Sequence, residues 1–162
     1  MNIEDILKEN SEKLNKISDP KLVPYFNFSG KTLYARPCHI YDGDTFSIIF
    51  EFNGELMKYK CRCYGYDTPE MKPSLKNPNR LQEKELAKKA KTRLTELLEK
   101  HPSKIIRVEC LEFDKYGRIL IKAYNNIDEK SLNEIMVEEG HGKWYDGGTK
   151  DTNWEENNLD KK

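Results

Sequence analysis

No run of apolar residues in this chain reaches membrane-spanning length, and its opening MNIEDILKEN lacks the basic start and apolar centre of an export signal. There is no CxxC, no histidine at zinc-finger spacing from a cysteine, and no internal repeat. The three histidines, His39, His101 and His141, are too scattered for a metal cluster. Cys38, Cys61, Cys63 and Cys110 lie in hydrophobic or alternating segments, which predicts reduced core thiols. Net charge is missing too: 28 basic and 28 acidic side chains cancel. A globally basic coat for phosphates is thereby excluded, so any phosphate recognition is expected to be local and only moderately salt-dependent. Together these absences predict a monomer without membrane association, in a reducing, intracellular compartment.

The 162 residues suffice for one domain with a real core. With 36% hydrophobic and 35% charged residues, part of the chain is expected to lie outside that core. Residues 1–24 read as an amphipathic helical extension and linker, with Ile3, Ile6, Leu7 and Leu14 at helical spacing before Asp19-Pro20. The tail 147–162 is polar and aperiodic. Between them, 25–146 form the expected domain.

Within that domain TLYARPCHI, TFSIIFEF and LMKYKCRCY read as three strands, the last two joined at Asn53-Gly54. Asn79 and Gln82 fit a capping box, and Leu81, Leu86, Ala90, Leu94, Leu97 and Leu98 mark one face of a long helix ending near Lys100. IIRVECLEF and ILIKAY are two further strands around the Asp114–Gly117 turn. Ser131 and Glu134 open a short helix that Gly140 closes. The predicted class is mainly β with α: a five-stranded oligonucleotide-binding (OB) barrel, with a long helix between its third and fourth strands and a short helix after the fifth.

Three segments carry chemistry: Asp42-Gly-Asp44-Thr45, Arg62 with Asp67-Thr68-Pro69-Glu70, and Asp114-Lys-Tyr-Gly-Arg118. Each alone is ordinary turn chemistry. In an OB barrel the first and third are interstrand loops on the binding side, and the second ends the strand beside them. Asp44 and Asp67 offer carboxylates to a hard divalent cation, and a main-chain carbonyl near Thr68 and water would complete the shell. Arg62 and Arg118 are permanently charged forks suited to a phosphodiester. Glu70 is suited to orienting or deprotonating water. The basic positions Lys84, Lys88, Lys89, Lys91 and Arg93 alternate with glutamates and read as a solvated helix face.

From about Leu33 to Tyr145, through YDGDT, Arg62 five residues before DTPE, DKYGR and LNEIMVEEGHGKWY, the chain resembles the staphylococcal nuclease (thermonuclease) family. The resemblance implies a Ca2+-dependent nuclease that hydrolyses DNA and/or RNA and leaves 3′-phosphate ends. It implies Asp44, Asp67 and Thr68 as metal ligands and Arg62, Glu70 and Arg118 as the catalytic set. Lys115, Tyr116 and Tyr145 are the candidate substrate contacts. The chain departs from secreted bacterial members in its neutral charge, its extra amino-terminal helix and its lack of a Lys-rich final helix. The competing class is a non-catalytic nucleic-acid or protein-binding OB module, as in relatives that lose the acidic and arginine residues. Retention of all six metal and catalytic positions favours the enzyme.

Overall fold

In a computed structural model, which describes residues 1–146 with Gly148 and Trp154, five strands close into a barrel. They are β1 (Thr32–Cys38), β2 (Thr45–Phe52), β3 (Glu55–Cys63), β5 (Ile106–Phe113) and β6 (Ile119–Tyr124). A two-residue strand β4 (Tyr66–Asp67) pairs outside the barrel with β7 (Lys143–Trp144). The barrel order is β1-β2-β3-β6-β5, antiparallel except at β3–β6, so the architecture is that of an OB-fold. The β2–β3 hairpin turns at Asn53 and Gly54, both at positive φ (51° and 82°), as a two-residue primed turn demands.

Period-two alternation decides what fills the barrel. Phe46, Ile48 and Phe50 on β2 share the core with Cys61 and Cys63 on β3 and Ile106, Val108, Ile119 and Ile121 on β5 and β6. Burial raises the thiol pKa of Cys61, Cys63 and Cys110, and the cysteines are unbridged. Phe28, upstream of β1, is buried in an edge-to-face cluster, 5.8 Å from the Phe50 ring and 5.7 Å from that of Phe52.

Helix α2 (Arg80–Leu98) joins the core through Ala90, Leu94, Leu97 and Leu98, with Leu86 also buried, as its spacing predicts. Its start differs from the predicted one. Asn79 makes no side-chain cap because its backbone (φ −104°, ψ 23°) is not in the extended conformation that aims a cap at the first turn. Leu81 is 70% exposed, and Glu83 occupies the buried stripe instead. Arg93, expected to be solvated, forms a two-point pair with Glu139, Nε–Oε1 at 2.5 Å and Nη2–Oε2 at 2.9 Å. That pair ties α2 to the end of α3 (Leu132–Glu138).

Ser131 caps α3 by accepting from Glu134 N–H, and Gly140 follows it at φ 78°. Helix α1 (Ile3–Leu14) is capped by Asn2 but buries no residue, so its apolar stripe lies open. The expected polar tail falls outside the described residues apart from Gly148 and Trp154. Trp154 is buried, with Lys143 Nζ 4.6 Å from its ring centroid. No helix among the described residues is long and apolar enough to cross a membrane.

Asn133 is the polar peg of the assembly. Its Nδ2 donates to Tyr64 O (2.8 Å) and Ile121 O (3.0 Å), and its Oδ1 accepts from Ala123 N–H (3.0 Å), all with the side chain out of water. Truncation removes the partner of Ala123 N–H and of Tyr64 O, while Ile121 O keeps the Tyr64 N–H. Asn133→Ala is therefore expected to lower unfolding free energy by about 2–4 kcal/mol. Urea titration should show a lower midpoint with unchanged slope.

Candidate functional site

Register brings the first two chemical segments together. Arg62 projects outward from β3 between the inward Cys61 and Cys63, and lies opposite Thr45, the residue after Asp44. The loop before β2 folds back through Tyr41 N–H and Asp42 N–H, both donating to Thr45 O (2.9 and 3.4 Å). Asp44 is 6% exposed; its Oδ1 accepts from Thr45 Oγ1 (2.8 Å) and its carbonyl from Cys63 N–H (2.8 Å). Gly43 permits this close fold: a Cβ there would lie 2.8 Å from Ala90 Cβ and 2.9 Å from Thr68 Cγ2. Asp67 is 5% exposed on β4, whose pairing with β7 depends on Gly142, where a Cβ would meet the Tyr66 ring at 2.6 Å.

Arg62 joins the two acids through one nitrogen. Its Nη2 lies 3.5 Å from Asp44 Oδ2, 3.3 Å from Asp67 Oδ1 and 3.4 Å from Tyr66 O. These are long contacts, near the limit of useful hydrogen bonds. Both carboxylates thus flank the Arg62 guanidinium, which meets each of them at long range.

Arg118 is held more firmly. Its Nε donates to Asp114 Oδ2 at 2.6 Å, while Asp114 Oδ1 accepts from Tyr116 N–H and Arg118 N–H, both at 2.9 Å. Burial alone would raise the Asp114 carboxyl, but those donors together hold it below its ordinary range. Asp114, read from sequence only as a turn residue, is the anchor that aims Arg118. A cavity of about 270 Å3 is lined by Arg62, Lys115, Tyr116, Arg118 and Tyr145 together with Asp114. The Arg62 guanidinium lies 5.5 Å from the Tyr145 ring centroid, and that of Arg118 lies 5.2 Å from Tyr116.

Glu70 does not line this cavity. It is exposed at the start of the 71–79 loop, and its charge bears on the carboxyl of Glu83. Glu83 is only 3% exposed, and its Oε1 has no hydrogen-bond partner among the described residues. Burial, then the charge of Glu70 and also that of Asp67, push its pKa up. Sequence reading missed Glu83, although it stands seven residues before Ala90 on the same helix stripe, a carboxylate at an apolar position. Asp42 is perturbed as well: burial foremost, then the Asp44 charge, raise its pKa to about 7.

Around Arg62 the carboxyl oxygens of Asp44 and Asp67 stand close together. Oxygen donors of this kind suit a hard cation. Thr68, 3% exposed, adjoins Asp67. Among the described residues, no three histidine, cysteine or carboxylate side chains converge as a metal-holding group, so two carboxylates plus main-chain and water oxygens form the donor set that fits.

Residues 60–161, well over half of the chain, match the family model described as staphylococcal nuclease homologue. No curated protein matches the chain.

The raised Asp42 carboxyl has a stability signature. In chelator, between pH about 4 and about 7 the folded chain retains a proton that the unfolded chain, with its ordinary value of 3.8, releases. Stability is thus expected to fall as pH rises through that window. Glu83 acts in the same direction. Asp42→Asn should flatten the decline and unfold at higher temperature than the parent above pH 7, as followed by circular dichroism across a pH series.

Proposed function

Because the chain belongs to the staphylococcal nuclease family, we propose that it is a calcium-dependent phosphodiesterase that hydrolyses DNA or RNA through water and leaves 3′-phosphate ends. The observation that carries this reading is the cavity in which Arg62, Lys115, Tyr116, Arg118 and Tyr145 converge, with Asp114 and Asp146 also on its wall, while Arg62 reaches back to two buried carboxylates. A cavity meant only for an apolar ligand has no use for two guanidiniums. A phosphodiester, anionic and tetrahedral, uses both.

In this reading the guanidiniums of Arg62 and Arg118 bind the non-bridging oxygens of the scissile phosphate. As water adds to phosphorus, negative charge builds on those oxygens and both contacts strengthen, which is the differential binding that lowers a barrier. The bond from phosphorus to the 5′ oxygen breaks, and the phosphate stays on the 3′ side. Glu70 takes the proton from the attacking water. Lys115 and Tyr116 contact the substrate from the β5–β6 loop, and Tyr145 packs against it beside Arg62.

Calcium would be held by Asp44, Asp67 and the main-chain carbonyl of Thr68, and when bound it supplies positive charge beside the reacting phosphate. The same residues explain the preference for calcium over magnesium: an irregular set of carboxylates, carbonyl and water suits an ion that accepts variable geometry. We propose the division into a 1–24 extension, a 25–146 catalytic domain and a 147–162 tail on the same footing.

Arg118→Lys keeps the charge but loses the fork that grips both Asp114 and phosphate. Single-turnover cleavage is expected to slow on the order of a hundredfold or more while thermal unfolding stays near parental. Glu70→Gln should slow cleavage with calcium binding retained. Asp44→Ala with Asp67→Ala should abolish calcium-dependent cleavage, and excess chelator should do the same to the parent. Parental rates in folded Arg118→Lys and Glu70→Gln variants would leave the binding-module reading in place of the enzyme.

A further inference from the structure

Helix α1 lies uncovered among the described residues. Ile3, Ile6, Leu7 and Leu14 fall on one side of it at helical spacing, yet they are between 41% and 62% exposed and the helix buries no residue. A helix of 12 residues is marginal on its own in water, and cover over its apolar side normally supplies the missing stability. The chain leaves a second apolar surface open around the β2–β3 hairpin. Phe26 packs edge-on against Phe28 (5.2 Å) and Phe52 (6.5 Å) but is itself 65% exposed. Leu56 and Met57, just past the Asn53-Gly54 turn, are 79% and 39% exposed, and Tyr25 stands almost wholly open.

The connection holds these two surfaces apart within one chain. Asp19 caps a short 3-10 turn (Pro20–Leu22) by accepting from Lys21 N–H at 3.0 Å, Val23 is extended, and Pro24 follows. The turn and the two prolines stiffen the link, and Phe28 anchors its far end in the core. Extended, the 15–25 segment spans up to about 36–40 Å, long enough for α1 to leave its own barrel. Charge bears on what α1 can meet. Glu4, Asp5, Glu9 and Glu12 outnumber Lys8 and Lys13, the reverse of a helix that lies on anionic lipid. Beyond Leu56 the outward positions of β3 are Lys58 and Lys60, and register sets Arg36 across Ile49 from Lys58. Lys60 Nζ lies 4.3 Å from the Tyr41 ring centroid and Lys58 Nζ 3.2 Å from His39 Nε2, contacts that involve no carboxylate. Glu51 and Glu55 lie nearer the turn, so the hairpin is mixed at its tip and basic behind it.

Area decides what can cover them. Each aliphatic side chain of α1 leaves on the order of 100 Å2 of apolar surface open, so its stripe comes to about 400 Å2. The hairpin surface, with two aromatic rings, comes to about 500 Å2. Neither alone reaches the about 800 Å2 per partner that a stable protein interface buries, and both together do. We propose that a second copy of this chain covers both: α1 of each copy lies on the β2–β3 hairpin of the other, its acids beside Lys58 and Lys60, in a two-fold dimer. Two-fold symmetry requires that every contact one copy makes be returned by the other. A chain that carries both an open helix stripe and an open hairpin meets that requirement. The dimer takes the place of the monomer expected from composition. It is independent of the nuclease reading, because none of these apolar residues lines the cavity.

The test compares parent, Leu7→Glu with Leu14→Glu, and Leu56→Glu by sedimentation equilibrium of the full chain over a concentration series. All three positions are exposed in the single chain, so at dilution the barrel of each variant should unfold at the parental urea midpoint. The parent should approach twice the chain mass of 19.1 kDa as concentration rises. Each variant should weaken the dimer on the order of a hundredfold or more, because a symmetric interface loses every substituted side chain twice. Mixing the two variants should restore association at concentrations where neither associates alone, since the mixed pair keeps one intact helix-on-hairpin contact. Higher salt should weaken the parent dimer, and Lys58→Glu with Lys60→Glu should do the same. A parent that keeps the single-chain mass at every concentration would overturn the dimer, whether α1 then binds phosphatidylserine vesicles or folds back on its own hairpin. A dimer broken by the helix variant but indifferent to Leu56→Glu would point to helix-to-helix pairing and overturn it as well. Failure of the mixed variants to associate would overturn the reciprocal exchange.

Discussion

One loosely shared guanidinium between two buried carboxylates is the constraint on which the site depends. Removing Asp44 and Asp67 from water is costly unless positive charge meets them, and Arg62 meets both with a single nitrogen at 3.3–3.5 Å. Asp42 and Glu83 hold protons more tightly than ordinary carboxyls in answer to burial first and then to neighbouring carboxylates. Much of the surrounding construction serves to hold these acids close in spite of their repulsion. Gly43 lets one loop sink against α2, Gly142 lets β7 lie on β4, and Asn133 pins α3 to the barrel beside them.

The barrel was largely legible in the sequence because alternation and helical spacing are periodic signals that tertiary context amplified. The five strands, the Asn53-Gly54 turn, the Ser131 cap and the apolar stripe of α2 lie where the pattern placed them. The cavity brings Arg62, Lys115, Tyr116, Arg118 and Tyr145 together from segments far apart in the chain. Pattern alone could reveal no more than adjacency there; side-chain aim had to come from contacts such as Asp114 with Arg118.

What was illegible had definite causes. The helix period has a phase, and Leu81 attracted the apolar stripe at a position that faces solvent while Glu83, being charged, was passed over. Asn79 carries the right chemistry for a cap in the wrong backbone conformation. Net charge is a sum, so Lys58, Lys60 and Arg36 vanished against acids on other faces until strand register separated them. Asn133 and Trp154 give no local signal of burial; only the fold around them does.

The parallel seam of the barrel is short: Cys61, Arg62 and Cys63 run beside Ile119, Leu120 and Ile121. Arg62 lies within that seam and Arg118 immediately before it, so backbone hydrogen bonding acts as a ruler between the two guanidiniums. A slip of one residue would turn Arg62 inward and bring a cysteine out in its place. The spacing of the charges is thus quantised by the peptide repeat, and an insertion or deletion in either strand would have to be compensated in the other for both arginines to face the same ligand.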